Sequence, residues 1–282
     1  MNNKKEQKSK SNKKKGSVQI KWNAEDYAKQ SSAQQSWAIE LINKIKMEGN
    51  ERILDVGCGD GKITAALAEK CKNGHVVGVD SSAEMVHRSI QAYRDNHSNL
   101  SFKTMNASSL NFDEKFDIIF SNSALHWVKD HGPVLDGMYQ SLKEKGHIYL
   151  RFGGQGTLDT FQPIIDSLTA KEAWASYFKE YQEKWHFYDD KTYIDWVVDT
   201  GFKPISVKLV PTIMTYKERA GLSGWIRTTW HPYLDYLPEH KKHRFIQLVV
   251  DDVVNQVGVN SNGNLIIPMM RLEVIAVKGE IK

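Results

Sequence analysis

The residues best equipped for chemistry sit in one short run, Ile53-Leu54-Asp55-Val56-Gly57-Cys58-Gly59-Asp60-Gly61-Lys62, with a further acid, Asp80, downstream. Glycines at 57, 59 and 61 permit positive φ and remove side chains that would hold a ligand off the main chain. Asp55 and Asp60 add negative charge to the same turn. A glycine-rich turn running from a strand into a helix is a nucleotide-binding arrangement, and two ligands compete for it. A dinucleotide sets its pyrophosphate at the helix N-terminus and asks for G-x-G-x-x-G. Here the third glycine falls one residue early, and Asp60 would repel a phosphate. S-adenosylmethionine (SAM) has no phosphate and carries a cationic amino group and a cationic sulfonium. The acids therefore favour SAM over NAD. Asp80 ends a second strand about 20 residues past the turn, where a carboxylate can accept from both ribose hydroxyls. The alternative is that Asp80 merely caps the next helix together with Ser81.

These groups need a scaffold to hold them. Trp37, Leu41 and Ile45, with Ile42 beside them, form an apolar helical stripe within residues 22–47. Strands are expected at 52–56, 76–80, 100–104, 116–120 and 147–152, the last after a turn at Gly146. Helices fall between them: 63–71, a segment carrying Met85, Ile90 and Tyr93, and one carrying Val134, Leu135, Met138 and Leu142. Strands alternating with helices imply a mostly parallel sheet covered on both faces, with the strand-to-helix loops at one edge. Past Phe152 the rhythm changes. Residues 156–200 read as helical and aromatic, strands return at 205–214 and 265–277, and 222–257 reads as helical. The expected fold is α/β, a Rossmann-like mostly parallel sheet with helices on both faces and a helical cap. Its segments are a lysine-rich tail over 1–18, a SAM-binding core over 19–155, a cap and substrate region with an added strand over 156–260, and a strand completing the sheet over 261–282.

The ordered set of Asp55–Gly61, Asp80 and Phe116-Asp117-Ile118-Ile119-Phe120-Ser121-Asn122 resembles the class I SAM-dependent methyltransferases. Ser121-Asn122-Ser123-Ala124-Leu125-His126-Trp127-Val128 and Tyr27-Ala28-Lys29-Gln30-Ser31-Ser32-Ala33-Gln34 narrow it further. So do Trp225-Ile226-Arg227-Thr228-Thr229-Trp230 and Pro232-Tyr233-Leu234-Asp235. These segments are similar to the group around trans-aconitate methyltransferase, which includes juvenile-hormone-acid and malonyl-carrier-protein O-methyltransferases. The resemblance implies that Tyr27 and Gln34 contact the methionine end of SAM, and that Gly57, Cys58 and Gly59 pass along it. It also implies that Ala107 and Ser108 lie near the adenine. Asn106 stands where the group usually has an aspartate accepting from the adenine amine. Ser81, Met85, Ser121, Asn122 and Trp127 complete the expected cofactor set, with Trp127 packing over the adenine or the pocket rim.

Methyl transfer is an in-line displacement, so positioning supplies much of the rate. A carboxylate acceptor needs no base, whereas an alcohol, amine or carbon acid usually does. His126 is the candidate base, with a structural histidine as the alternative. Arg227 is the expected carboxylate anchor, because a guanidinium holds a carboxylate with two parallel hydrogen bonds. Trp225, Trp230 and Tyr233 would wall that pocket, and Gln155 and Arg271 are further candidates. The expected activity is O-methylation of a small carboxylic acid. The alternatives are N-, C- or S-methylation of another small molecule or a protein side chain, and a SAM-binding protein without transfer activity.

Charge and composition narrow the partners. Residues 1–16 carry seven lysines and one glutamate, net +6 against +4 for the whole chain, so residues 17–282 carry −2. That body has no basic excess for nucleic acid, and strand four lacks the Asn/Asp-Pro-Pro-aromatic tetrad of nucleic-acid methyltransferases. No apolar run approaches the ~18–20 residues of a membrane span, and no secretory signal opens the chain. Two cysteines, Cys58 and Cys71, suit a reducing cytoplasm better than a disulfide framework, and no metal site is expected.

Overall fold

The computed structural model describes residues 32–279. Five parallel strands lie at its centre: β1 (Arg52–Val56), β2 (His75–Asp80), β3 (Leu100–Thr104), β4 (Phe116–Asn122) and β5 (Leu142–Gly153). Two later strands, β6 (Phe202–Lys217) and β7 (Asn264–Lys278), add antiparallel at the β5 side. The order across the sheet is β3-β2-β1-β4-β5-β7-β6. The sheet reverses its winding between β1 and β4, where ligands of open α/β sheets bind at the carboxyl ends of the strands.

The central strands read as unbroken apolar runs because both faces are covered. Ile53, Val76, Ile118 and Phe120 pack with Ala38, Leu41 and Ile42 of α1 (Ser32–Ile42) and with Leu67 of α2 (Lys62–Lys70). Leu54, Val79, Ile119 and Ile148 point to the other face, under Val134, Leu135 and Met138 of α4 (Gly132–Ser141) and Val197 of α7 (Asp190–Asp199). Between them in sequence, α3 (Ala83–Tyr93) follows β2 and is capped by Ser82, whose Oγ accepts from the Met85 N–H at 3.3 Å. The cap thus belongs to Ser82, and Ser81 lies exposed.

The β6–β7 pair is longer than the sheet it joins. β5 runs beside β7 only as far as Gly153 opposite Arg271, whereas β6 continues to Lys217 opposite Asn264. This overhanging arm buries Met214, Tyr216, Leu265, Ile267 and Met269 in a third core. Around it pack α5 (Gln162–Thr169), α6 (Glu172–Ala175), α8 (Glu218–Thr229), α9 (His231–Leu234) and α10 (Glu239–Val257).

Three elements differ from the sequence reading. β5 starts at Leu142 and runs through Gly146, with Lys145 at φ 62 and a register shift opposite Phe116/Ile118. Lys143, Glu144 and Lys145 are exposed and charged, so no apolar run announces this stretch. Residues 177–189 form no helix; their aromatics pack from an extended segment that the His186 N–H ties to the His126 carbonyl at 2.8 Å. The helical stretch 222–257 is broken near Trp230 and at Pro238, giving α8, α9 and α10. No described helix is long and apolar enough to cross a membrane.

Candidate active site

The glycine turn leaves β1 at the carboxyl edge of the sheet. Gly57, Gly59 and Gly61 all have positive φ, at 79°, 54° and 82°. The N–H groups of Gly57 and Cys58 both donate to the Val79 carbonyl, which binds the turn to the end of β2. A Cβ on Gly57 would lie 2.2 Å from the Ala124 Cβ, so this glycine is required by close packing against the segment after β4. A Cβ on Gly59 would meet nothing within 4 Å. The backbone there is bare towards open space.

Acidic groups surround that opening. Asp80 accepts from the Gly59 N–H at 3.0 Å through one oxygen and from the Ser82 N–H at 2.8 Å through the other. Each oxygen keeps lone-pair capacity, and burial pushes the carboxyl above its ordinary value. Asp55 is fully buried and accepts from the Thr64 hydroxyl at 2.8 Å. Burial raises it to about 7, outweighing the Thr64 hydrogen bond, and the nearby Asp80 adds to the rise. Asp60 accepts from the Lys62 N–H at 3.3 Å, steadying the first turn of α2. Bare backbone and carboxylates with spare lone pairs fit a phosphate-free cationic nucleoside. They do not fit a pyrophosphate.

Other expected cofactor residues have local employment. Asn106 caps the short turn Ala107–Ser109, its side-chain oxygen accepting from the Ser108 N–H at 2.9 Å. The Ser121 hydroxyl is buried and donates to the Val56 carbonyl at 2.7 Å, locking β4 to β1. Asn122 donates to the Ser123 hydroxyl at 3.1 Å. Met85 is buried at the start of α3, and the Cys58 thiol is buried and pushed well up by that burial. Tyr27 lies outside the described residues, and for Gln34 only its place in α1 is described.

Next to the turn, beyond the end of β4, opens a cavity of about 830 Å³, its mouth included. Trp37, Trp127, Phe152, Trp185, Phe187, Met214, Trp225, Met269 and Met270 make most of its wall. Among the described residues, the ionisable side chains on the wall are His126, Arg151 and Arg271.

His126 is poorly placed to act as a base. Burial drives it down to about 3, with His131 contributing. The Gly153 N–H points at its Nδ1 from 3.4 Å, leaving Nε2 as the protonated nitrogen of the neutral ring. Its ring stacks on Phe187 with centroids 5.9 Å apart. It lines the cavity wall as a neutral ring.

The two arginines are held differently. Arg151 on β5 is saturated: Nε donates to Glu273 at 3.1 Å, Nη2 to the same carboxylate, and Nη1 to the Trp37 carbonyl at 2.7 Å and to Glu40 at 3.0 Å. Arg271 on β7 lies over the Trp37 ring and approaches Glu40 at 3.5 Å. Its Nε and Nη1 are buried and make no hydrogen bond among the described residues. Lys44 also donates to both Glu273 oxygens at 2.8 Å, and Lys208 stands 3.9 Å from one of them. Burial pushes Glu273 up, but Lys44 and Arg151 outweigh it and hold the carboxyl below its ordinary value. Four cations thus share two carboxylates, Glu40 and Glu273, and two of the four, Arg151 and Arg271, line the cavity.

Several substrate candidates fall elsewhere. Arg227 is exposed on α8 and absent from the cavity wall. Trp225 does line the cavity, and a residue two positions on points about 200° away around a helix. Trp230 and Tyr233 are buried in the third core, with Tyr233 stacked on Tyr181 at 5.0 Å. Gln155 is exposed and touches the site only through its backbone N–H, which donates to the Tyr188 carbonyl at 3.0 Å. Sequence reasoning missed Arg151, although a lone arginine in the apolar run Tyr149-Leu150-Arg151-Phe152 was a visible signal.

Residues 53–146 match the family model described as a methyltransferase domain. Together with the fold and the acid-lined glycine turn, that match defines a SAM-dependent methyltransferase on the class I, Rossmann-like architecture. Along nearly its whole length the chain is similar to other methyltransferases. It is 25% identical over 263 residues to an uncharacterized methyltransferase of Schizosaccharomyces pombe, covering 91% of this chain and 98% of that one. It is 22% identical over 258 residues to the trans-aconitate 2-methyltransferase of an Enterobacter species, covering 90% and 97%. Among solved structures, the YcgJ protein of Bacillus subtilis shares the fold with a TM-score of 0.60 at 18% identity, covering 88% of this chain and 100% of that one.

Proposed function

We propose that this methyltransferase forms methyl esters of small carboxylic acids. SAM, when bound, supplies a methyl group on a positively charged sulfur. Asp80 accepts from the ribose hydroxyls with the lone pairs its two backbone contacts leave free, and Asp55 with Asp60 offsets the positive charge of the nucleoside. Asn106 keeps one lone pair of its capping oxygen for the adenine amine, and Trp127 forms the rim between the turn and the cavity.

The single observation that carries the acceptor is the cavity's set of ionisable groups: two guanidiniums and a neutral histidine, with no carboxylate, lysine or tyrosine on the wall among the described residues. An amine would meet positive charge there, and an alcohol would find no base. A carboxylate is already ionised at neutral pH and needs only to be held. Arg271, on the wall, has a guanidinium to hold one oxygen, while the saturated Arg151 keeps Glu273 occupied and supplies field. The anchor role expected of Arg227 passes to Arg271 in this reading.

The experiment is turnover of methyl-labelled SAM against pools of acids, amines and thiols. Label released from the product by mild hydroxide, as an ester gives, supports the reading. Label that appears only in hydroxide-stable amines or thioethers contradicts it.

A further inference from the structure

We infer that the preferred acceptor is a monocarboxylic acid with an extended apolar body, in preference to a di- or tricarboxylate. This rests on the carboxylate reading above. The cavity is polarised along its length. Its charged end is Arg151 and Arg271, beside the end of β4, where the Ser123 N–H donates to the Arg151 carbonyl at 2.7 Å. The other end lies out along the β6–β7 arm. Arg271 pairs with Val210, and Met214 sits four residues further along β6. At the rise of an antiparallel strand, that separates the two by roughly 13 Å.

Among the described residues, no cationic side chain lines the far end. Met214 and Trp225 line it, Thr212 and Met269 lie between it and Arg271, and the Thr229 hydroxyl already donates to the Trp225 carbonyl at 2.7 Å. The Thr157 hydroxyl on the wall is likewise spent on the Met270 carbonyl. A carboxylate buried there without a cation would be strongly disfavoured, whereas a hydrocarbon or aryl body gains by leaving water. The methionine side chains adapt to bodies of varied shape.

The test is the specificity constant kcat/KM, at saturating SAM, for straight-chain monocarboxylates of increasing length, for dicarboxylates of matched length, and for trans-aconitate. For the monocarboxylates the value is expected to rise up to about fourfold per added methylene until the cavity is filled. An ω-carboxyl group is expected to lower it by roughly 100-fold or more. Ester formation that is as fast or faster on the di- and tricarboxylates, with no gain from apolar length, overturns this inference and leaves the carboxylate reading standing. Methylation of amines or thiols and of no acid overturns both.

Discussion

Arg271 lies over the indole of Trp37, its guanidinium carbon 4.8 Å from the ring centroid. The contact joins the first described helix to the last strand and forms one side of the acceptor cavity. A charged group packed on an aromatic face and only loosely paired with Glu40 at 3.5 Å can take an anion. Arg271→Gln is predicted to raise KM for the acid by roughly 10- to 100-fold, the loss of one charge-assisted hydrogen-bonding group. The dissociation constant for SAM is expected to stay within about twofold. Arg271→Lys should restore little, because an ammonium lacks the planar fork. Arg227→Ala, on the exposed side of α8, should leave both constants unchanged. Steady-state kinetics and calorimetric SAM titration of the four proteins check this.

Two glycines of the turn should fail in different ways. Gly57→Ala places a methyl 2.2 Å from the Ala124 Cβ at a φ of 79°, so it combines backbone strain with a clash. A loss of several kcal/mol of stability is expected, of the order seen for overpacked core sites. Gly59→Ala meets no atom within 4 Å and bears only the cost of its positive φ, about 1 kcal/mol. It should fold with a modest drop in Tm yet bind SAM much more weakly, because the new methyl occupies the opening. Thermal melts with and without SAM separate the two behaviours.

The first half of the molecule was legible because its strands are buried on both faces and announce themselves as apolar runs between glycine and polar turns. The placement of Asp80 beside the glycine turn was legible too, because both follow from the strand-to-turn pattern that ends β1 and β2. The acceptor cavity was not legible. Its charged end depends on the register that sets Arg271 beside Gly153 and Arg151 beside Glu273, and no local pattern in a sequence reports register across strands this distant. Arg227 was favoured over Arg271 because it lies in an aromatic helix, where chain proximity to Trp225 and Trp230 suggested a shared pocket. The helix keeps Trp225 and Trp230 in ring contact at 5.9 Å but turns Arg227 to the exposed side. Trp230 went to the core because α8 ends there and the chain folds back into α9.

The pH response separates a wall histidine from a base. With His126 held down to about 3, its ionisation lies below the working range, so kcat should show no His126 limb between about pH 6 and 9. His126→Asn should keep activity within about tenfold, against the 10²- to 10⁴-fold loss expected on removing a general base. Stability gives an independent check. His126 and His131, the latter lowered to about 4 mainly by burial, bind protons more readily unfolded than folded. Both therefore favour unfolding as pH falls below their unfolded values near 6.5. Asp55 works in the opposite direction over the same window, since its folded value is the higher one. Urea midpoints should fall from about pH 6.5 to pH 5, and His131→Asn should flatten the fall.

Asp55 also links the cofactor to protons. Its carboxyl sits at about 7 in the SAM-free site, and a cation nearby favours the ionised form. Binding should then release a proton below that value, and affinity should weaken as pH falls, by at most tenfold per unit. Calorimetry at about pH 6 in buffers of different ionisation enthalpy should detect the proton, and Asp55→Asn should abolish it. Asp80→Ala should weaken SAM binding by roughly 10- to 100-fold. It should also lower Tm by a few degrees, because Gly59 and Ser82 lose their acceptor.

The most direct test is a crystal structure with S-adenosylhomocysteine and an apolar monocarboxylate bound together. The prediction is a carboxylate within hydrogen-bonding distance of Arg271, its apolar body reaching towards Met214 and Trp225, and ribose hydroxyls on Asp80. A carboxylate bound away from both Arg271 and Arg151, or a ribose that does not touch Asp80, would contradict the account.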